Sequence, residues 1–233
     1  YGITTKTVPY NDHNAQRVLP GLIRRLNDGD SLALVSDAGT PLISDPGFKL
    51  VEAAVSENIP VYPIPGANAA IAGLVSSGLP TDSFFFAGFL PPKQGARRTR
   101  LEELARIPGS LVFYESSGRL AASLADMRDV LGMRDAAVAR EITKLHEEVI
   151  RGTLVYLAAT YKEQGGPRGE IVIVVGPPGA EIVSDETVEQ AIRDALQTMS
   201  VRDAASEVAQ QTGRSRREVY SKALTISGAD TKT

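Results

Sequence analysis

Apolar positions along this chain fall into two patterns that take turns. Short apolar runs without period-two alternation occur at Ser31-Leu32-Ala33-Leu34-Val35, Ile59 to Ile64, Phe84 to Phe89, Ser110 to Tyr114, Ala136 to Ala139 and Ile171 to Val175. Each reads as a buried strand, and Glu148 to Arg151 reads as one more. Between them the apolar residues recur at helical spacing. Val18, Leu22 and Leu26, with Leu19 and Ile23, predict an amphipathic helix after an Asn14 cap, kinked or restarted at Pro20. Further helices are predicted from Pro46 to about Glu57, from Asn68 to Ser77, over the residues ending at Leu131, and from Leu154 to Lys162. Strand–helix alternation to about residue 163 predicts an α/β fold with a largely parallel core, and the hairpin-like 148–175 stretch predicts mixed strands in a second half. Gly176-Pro177-Pro178-Gly179 reads as a linker, with three helical segments after it. The expected domains are an N-terminal α/β domain over 1–90, a second α/β domain over 91–178 and a small helical domain over 179–233.

Composition narrows the chemistry. The chain has 233 residues, with 25 Lys+Arg against 28 Asp+Glu for a net charge of −3, so no global charge announces a nucleic-acid partner. There is no cysteine, which excludes disulfides, thiolate metal sites and a cysteine nucleophile. His13 and His146 are the only histidines, too few for an ordinary zinc site, and no metal is expected. No apolar stretch reaches membrane-spanning length and no signal-peptide pattern opens the chain, so no membrane and a cytoplasmic location are expected. Tyr1-Gly2-Ile3 reads as the tail of a helix–loop–strand passage, and a segment preceding it is expected.

Candidate chemistry sits at the predicted strand ends. Ser36-Asp37-Ala38-Gly39-Thr40-Pro41-Leu42-Ile43-Ser44-Asp45-Pro46-Gly47 follows the 31–35 run. It keeps about nine irregular residues where a plain connector needs two to six, with Asp45-Pro46 as the expected helix start. Pro65-Gly66-Ala67-Asn68-Ala69-Ala70 is a second glycine turn before a helix, where free N–H groups can receive an anion. Glu115 closes one strand and Arg140-Glu141-Ile142-Thr143-Lys144 another; open α/β sheets bind ligands at such ends. Lys93, Arg97, Arg98 and Arg100 form a basic segment, expected as a solvated loop, that phosphate binding would explain. Ser200 caps a predicted helix, Gly213 makes a turn, and Ser215-Arg216-Arg217-Glu218 opens another helix as a capping box. This is helix-turn-helix spacing, with Arg214, Arg216 and Arg217 where nucleic-acid contacts are made.

The 36–47 stretch, Pro65-Gly66, Gly88-Phe89-Leu90-Pro91, Phe113-Tyr114-Glu115-Ser116, 140–144 and Gly169-Glu170 follow one another over essentially the whole chain. Together they resemble the tetrapyrrole-methylase-like methyltransferases that use S-adenosyl-L-methionine, most closely the branch acting on small-subunit ribosomal RNA. The resemblance implies two α/β domains with the cofactor in the cleft between them, and a homodimer. Contacts to the cofactor would come from Asp37, Gly39, Thr40, Pro41, Ile43, Pro65, Gly66, Asn68, Ala69, Glu115 and Ile171. The implied reaction methylates the ribose 2′-hydroxyl of a cytidine near the ribosomal decoding site. A ribose hydroxyl is a poor nucleophile, so Glu141 is the candidate general base, with Lys144 positioning phosphate or lowering the hydroxyl's pKa. Arg140 joins the basic residues as an RNA contact. The family opens with an Ala-Thr-Pro-Ile-Gly-Asn-like strand that nothing here matches. Two other readings carry different chemistry: a methyltransferase acting on a tetrapyrrole-type small molecule, and a non-catalytic RNA-binding ribosome-assembly protein.

Overall fold

Two strands that expose almost nothing organise the computed structural model, which describes residues 2–179 and 185–228. Tyr1, the 180–184 start of the expected helical domain and its 229–233 end lie outside the described residues. Among the described residues no helix is long and apolar enough to cross a membrane, and no group of three or more His, Asp or Glu side chains is arranged to hold a metal ion. The chain forms two compact units, 1–177 and 178–233.

The first unit carries a five-stranded sheet of β1 (Phe84–Phe89), β2 (Ser110–Ser116), β3 (Asp135–Arg140), β4 (Glu148–Thr153) and β5 (Glu170–Val175), in the order β1-β2-β5-β3-β4. Only β1 and β2 run parallel; β5 is antiparallel to both β2 and β3, and β4 is antiparallel to β3. The expected largely parallel core is therefore corrected to a mixed sheet. The last strand inserts between β2 and β3 and reverses the direction of its neighbours' ladders. β1 also ladders with β2, so the sheet runs across the expected division at 90/91.

Both faces of the sheet are covered, which is why β5 reads Ile-Val-Ile-Val-Val. Leu111, Phe113, Ile171, Ile173 and Val175 face α4 (Gln94–Leu104), α5 (Leu120–Leu131) and α6 (Leu154–Gln164). Val112, Val172 and Val174 face α3 (Ala69–Ser77) through Ala70 and Leu74. Gly73 lets α3 lie close: a Cβ there would stand 2.7 Å from Val172 Cγ1. Two further helices, α1 (Ala15–Asn27, with Pro20 inside it) and α2 (Phe48–Ser56), pack on each other.

The 31–35 and 59–64 runs are not strands. A buried parallel strand needs a hydrogen-bonded neighbour, and neither run has one among the described residues. Val35, Tyr62 and Ile64 are 77%, 81% and 84% exposed. The start of α2 is also shifted. Gly47, not Asp45, is its cap, at φ +142°, where a Cβ would meet Leu34 Cδ2 at 2.7 Å and Leu42 Cδ1 at 2.8 Å.

The basic 93–100 segment is helix from Gln94 on, not loop, and three of its four cations are ion-paired within the protein. Arg97 is buried with Asp126, their nearest approach being 2.6 Å. Arg98 pairs with Asp126 at 2.7 Å and also with Asp129, and Arg100 pairs with Glu103 at 2.7 Å. Burial pushes the Asp126 carboxyl up, but hydrogen bonds from Arg98, Gln94 and Arg97 outweigh it and leave it below its ordinary value.

The second unit holds α7 (Asp185–Leu196), α8 (Val201–Thr212) and α9 (Arg216–Ser227) around Val188, Ile192, Ala205, Val208, Val219 and Ala223. Ser200 and Ser215 cap α8 and α9, each hydroxyl accepting an N–H at 3.2 Å, and Gly213 turns between them at φ +67°.

Gly73→Ala lowers the melting temperature although alanine gains about 1 kcal/mol of helix propensity. Overpacking Val172 costs about 1–3 kcal/mol; an unchanged or raised melting temperature would refute the close docking of α3. Asp126→Ala costs about 3–5 kcal/mol in urea unfolding because it strands Arg97 uncompensated. The stabilisation from Asp126 is present above the ordinary carboxylate range and lost as pH falls through its lowered pKa.

Candidate active site

Two loops and two strand ends meet on the α3 side of the sheet. The Thr40 hydroxyl donates to the Ala67 carbonyl at 2.9 Å, tying the 36–47 loop to the Pro65-Gly66 turn. Gly39, at φ +73°, lies against the same carbonyl, 3.8 Å from where its Cβ would be. Leu42 (φ 73°) and Ser44 (φ 56°) also hold left-handed backbone, which costs on the order of 1–3 kcal/mol each and collects at functional sites. Gly88, at the far end of β1, would place a Cβ 3.2 Å from Ser44 Oγ. The sequence-predicted Gly39, Thr40, Pro41, Ile43, Gly66, Asn68 and Ala69 thus belong to one joined pair of loops, with Pro65 leading into the turn.

The start of α3 is only partly satisfied. Asn68 Oδ1 accepts from Ile71 N–H at 3.2 Å, and the Tyr114 hydroxyl accepts from Ala70 N–H at 3.2 Å. Among the described residues the Ala69 N–H has no acceptor, leaving a donor at the positive end of the helix. Asp37 and Asp45 open instead onto a cleft of about 490 Å³ that Tyr10, Asn11 and Leu34 also line.

Glu115 does not reach this place with its side chain. It shares a strand face with Leu111 and Phe113, so it points under α5. There it accepts from Ser123 Oγ and from its neighbour's Ser116 N–H, the latter at 2.8 Å. Arg119 Nη2 donates to it at 3.3 Å, while Arg119 Nε stands 3.2 Å away without hydrogen-bond alignment. Ile171, its register partner, is buried on the same face. Only the backbones of these two predicted contacts remain near the site. The residue reasoning missed is Tyr114, one step out of phase with Glu115; counting alternation from Phe113 would have found it. Burial raises the Tyr114 hydroxyl above its ordinary pKa, with the Ala70 N–H acting the other way and Glu170 adding to the rise.

The 140–144 segment folds as a closed tie. Glu141 (φ 48°) and Thr143 (φ 67°) are left-handed. Glu141 N–H donates to the Glu170 carbonyl at 3.0 Å, and Glu170 N–H donates back to Glu141 Oε1 at 2.9 Å. Lys144 Nζ sits between two carboxylates, 3.0 Å from Glu141 and 3.1 Å from Glu170. The Glu170 N–H, then the Lys144 ammonium, hold the Glu141 carboxyl below its ordinary pKa; the Glu141 and Glu170 bonds hold Lys144 above its own. Glu141 Oε1 is thus engaged by both the Glu170 N–H and the Lys144 ammonium. Arg140 Nη1 donates to the Arg168 carbonyl at 3.2 Å, and its Nε stands 3.4 Å from Glu148.

The predicted RNA contacts separate by their partners. Arg97 is withdrawn by burial; Arg98 and Arg100 are ion-paired. Arg214 pairs with Glu218 at 2.7 Å and Asp185 at 3.2 Å. Lys93, Arg216 and Arg217 are exposed and, among the described residues, carry no ion pair.

The family model of Tetrapyrrole (Corrin/Porphyrin) Methylases matches residues 3–158, and that of the RsmI C-terminal HTH domain matches residues 182–227. Three similar proteins are each named Ribosomal RNA small subunit methyltransferase I. That of Mesorhizobium japonicum is 47% identical over 227 residues, covering 97% of this chain and 77% of the relative. That of Synechocystis sp. is 42% identical, covering 97% and 82%, and that of Pseudomonas aeruginosa 40% identical, covering 98% and 83%. The crystal structure of the methyltransferase CobJ matches with a TM-score of 0.51 at 19% identity, over 71% of this chain and 72% of that one, a likeness of fold. Mixed sheet, joined loops and sequence kinship agree: this chain belongs to the tetrapyrrole methylase family, on the branch of the ribosomal RNA small subunit methyltransferase I proteins.

Proposed function

We propose that this chain transfers a methyl group from S-adenosyl-L-methionine to the ribose 2′-hydroxyl of a cytidine in small-subunit ribosomal RNA. The observation that carries the reading is the Thr40–Ala67 bond, which joins the two glycine turns into one wall beside an open helix N-terminus. That wall suits a zwitterionic, hydroxyl-bearing cation. The Ala69 N–H and the positive end of α3 can receive a carboxylate, while loop carbonyls can face a positive centre without a buried carboxylate. When bound, the sulfonium supplies an activated methyl group, so the protein's task is mainly alignment.

The residues divide that task. Gly39 to Ile43, Gly66, Asn68 and Ala69 hold the cofactor through backbone atoms, with Tyr114 fixing the start of α3. Glu141 and Glu170 hold Lys144, and Lys144 presents its ammonium to an RNA phosphate or to the reacting hydroxyl. Lys93, Arg140, Arg216 and Arg217 supply the remaining phosphate contacts. Two copies of the chain form the working enzyme, and it works in the cytoplasm, where small ribosomal subunits are its partner.

Tritium transfer from labelled cofactor onto intact small subunits, followed by nucleoside mapping, tests the assignment; equal incorporation into total tRNA would defeat it. Gly39→Val forces a β-branched residue into left-handed backbone, a strain of about 1–3 kcal/mol, and lowers that transfer at least about fivefold. The same transfer by the variant would remove Gly39 from the wall. Glu141→Gln keeps single-turnover methylation within about threefold and leaves its pH profile unmoved, whereas general-base loss costs about 10²–10⁴-fold. A drop of that size would restore Glu141 as the base.

A further inference from the structure

Phe89 is an aromatic ring that the fold goes out of its way to expose. Along β1, Phe86 faces α3 and Ala87 faces the other layer. Regular alternation would send Phe89 after Ala87, under α4 and α5. The β1–β2 register shifts instead: Phe86 pairs with Val112 but Gly88 with Phe113, so two steps on β1 match one on β2. This bulge, with Gly88 at φ +65°, turns Phe89 onto the α3 face opposite Tyr114. The Phe89 and Tyr114 rings stand 5.6 Å apart at 59°, and Phe86 meets Tyr114 from 5.0 Å at 71°. Phe89 is held on one side by that cluster and is still 55% exposed. It lies at the rim of the candidate active site, since a Cβ on Gly88 would stand 3.2 Å from Ser44 Oγ of the loop and Tyr114 receives the Ala70 N–H.

We propose that Phe89 is a stacking platform for an unpaired base of the RNA substrate, resting on the methyltransferase reading above. An aromatic face on a rigid strand, backed by a second ring, is the means by which proteins hold splayed-out RNA bases. The choice of an RNA base over the cofactor's adenine rests on charge. Leu90-Pro91-Pro92 leads directly from Phe89 to Lys93, and the two prolines hold this connection stiff. Lys93 is exposed and, among the described residues, the one cation of the 93–100 cluster with no ion partner. A ring followed by a free ammonium matches a base and its phosphate; the cofactor carries no phosphate. The buried Leu90 carbonyl, receiving Arg119 Nη2, anchors the stretch between them.

The test compares Phe89→Ala, Phe89→Trp and Lys93→Ala in the full-length enzyme. Calorimetry gives cofactor affinity, filter binding gives small-subunit affinity, and tritium transfer gives the rate. Expected are unchanged cofactor affinity and about a tenfold loss of subunit affinity or KM in Phe89→Ala, the size of one base–aromatic stack. Phe89→Trp restores it, and Lys93→Ala weakens binding with a smaller salt dependence. Unchanged subunit binding and transfer in a folded Phe89→Ala would overturn the proposal, and so would a loss confined to cofactor affinity. Failure of the wild-type enzyme to methylate small subunits would strike the functional reading itself. In that case binding of Phe89→Ala to single-stranded RNA still decides the platform.

Discussion

The bond from Ala70 N–H to the Tyr114 hydroxyl is the constraint on which the site depends. A helix N-terminus is an anchored feature only if something fixes it against the sheet. Here a half-buried hydroxyl does so at 3.2 Å, while Gly73 removes the side chain that would hold α3 off Val172. Through Ala67 and Thr40 the same anchorage passes to the 36–47 loop, which has no strand of its own to stand on. The loop's left-handed Leu42 and Ser44 persist because the surroundings over-determine them.

Helix α3 was legible in the sequence to within a residue, and α8 and α9 down to their caps, because Ser200 and Ser215 act locally. The central strands were legible too, since being covered on both faces leaves an unbroken apolar run. What could not be read depended on partners far along the chain. The 31–35 and 59–64 runs have strand composition without a neighbour to pair with. The 93–100 segment showed four cations, but the acids of Arg97 and Arg98, Asp126 and Asp129, lie about thirty residues on and are brought in by α5.

The loops of the candidate site stand out in the sequence, while the direction in which its side chains point does not. Glycine and proline punctuation marked 36–47 and 65–68 because backbone geometry demands those residues. Glu115 drew attention as a charge at a strand end, although its phase with Leu111 and Phe113 already sent it inward. The sequence offers Glu141 as a general base and Lys144 as the group that positions phosphate or lowers the hydroxyl's pKa. Their closed tie to Glu170 could be seen only once β5 lay antiparallel between β2 and β3, which brings Glu170 beside the loop after Arg140.

That placement of β5 also bears on how the chain is made. β5 is the last strand of its unit and the third in the sheet, so β2 and β3 never touch except through it. Before Val175 leaves the ribosome, synthesis has produced a β1–β2 pair and a β3–β4 hairpin, each with an apolar edge awaiting a neighbour. Two-stranded pairs are marginal alone, and long-range pairing is slow. The first unit therefore closes late, when the six residues of β5 enter the slot between the two pairs. The exposed edges of those pairs make the nascent chain most prone to misassociation just before that moment.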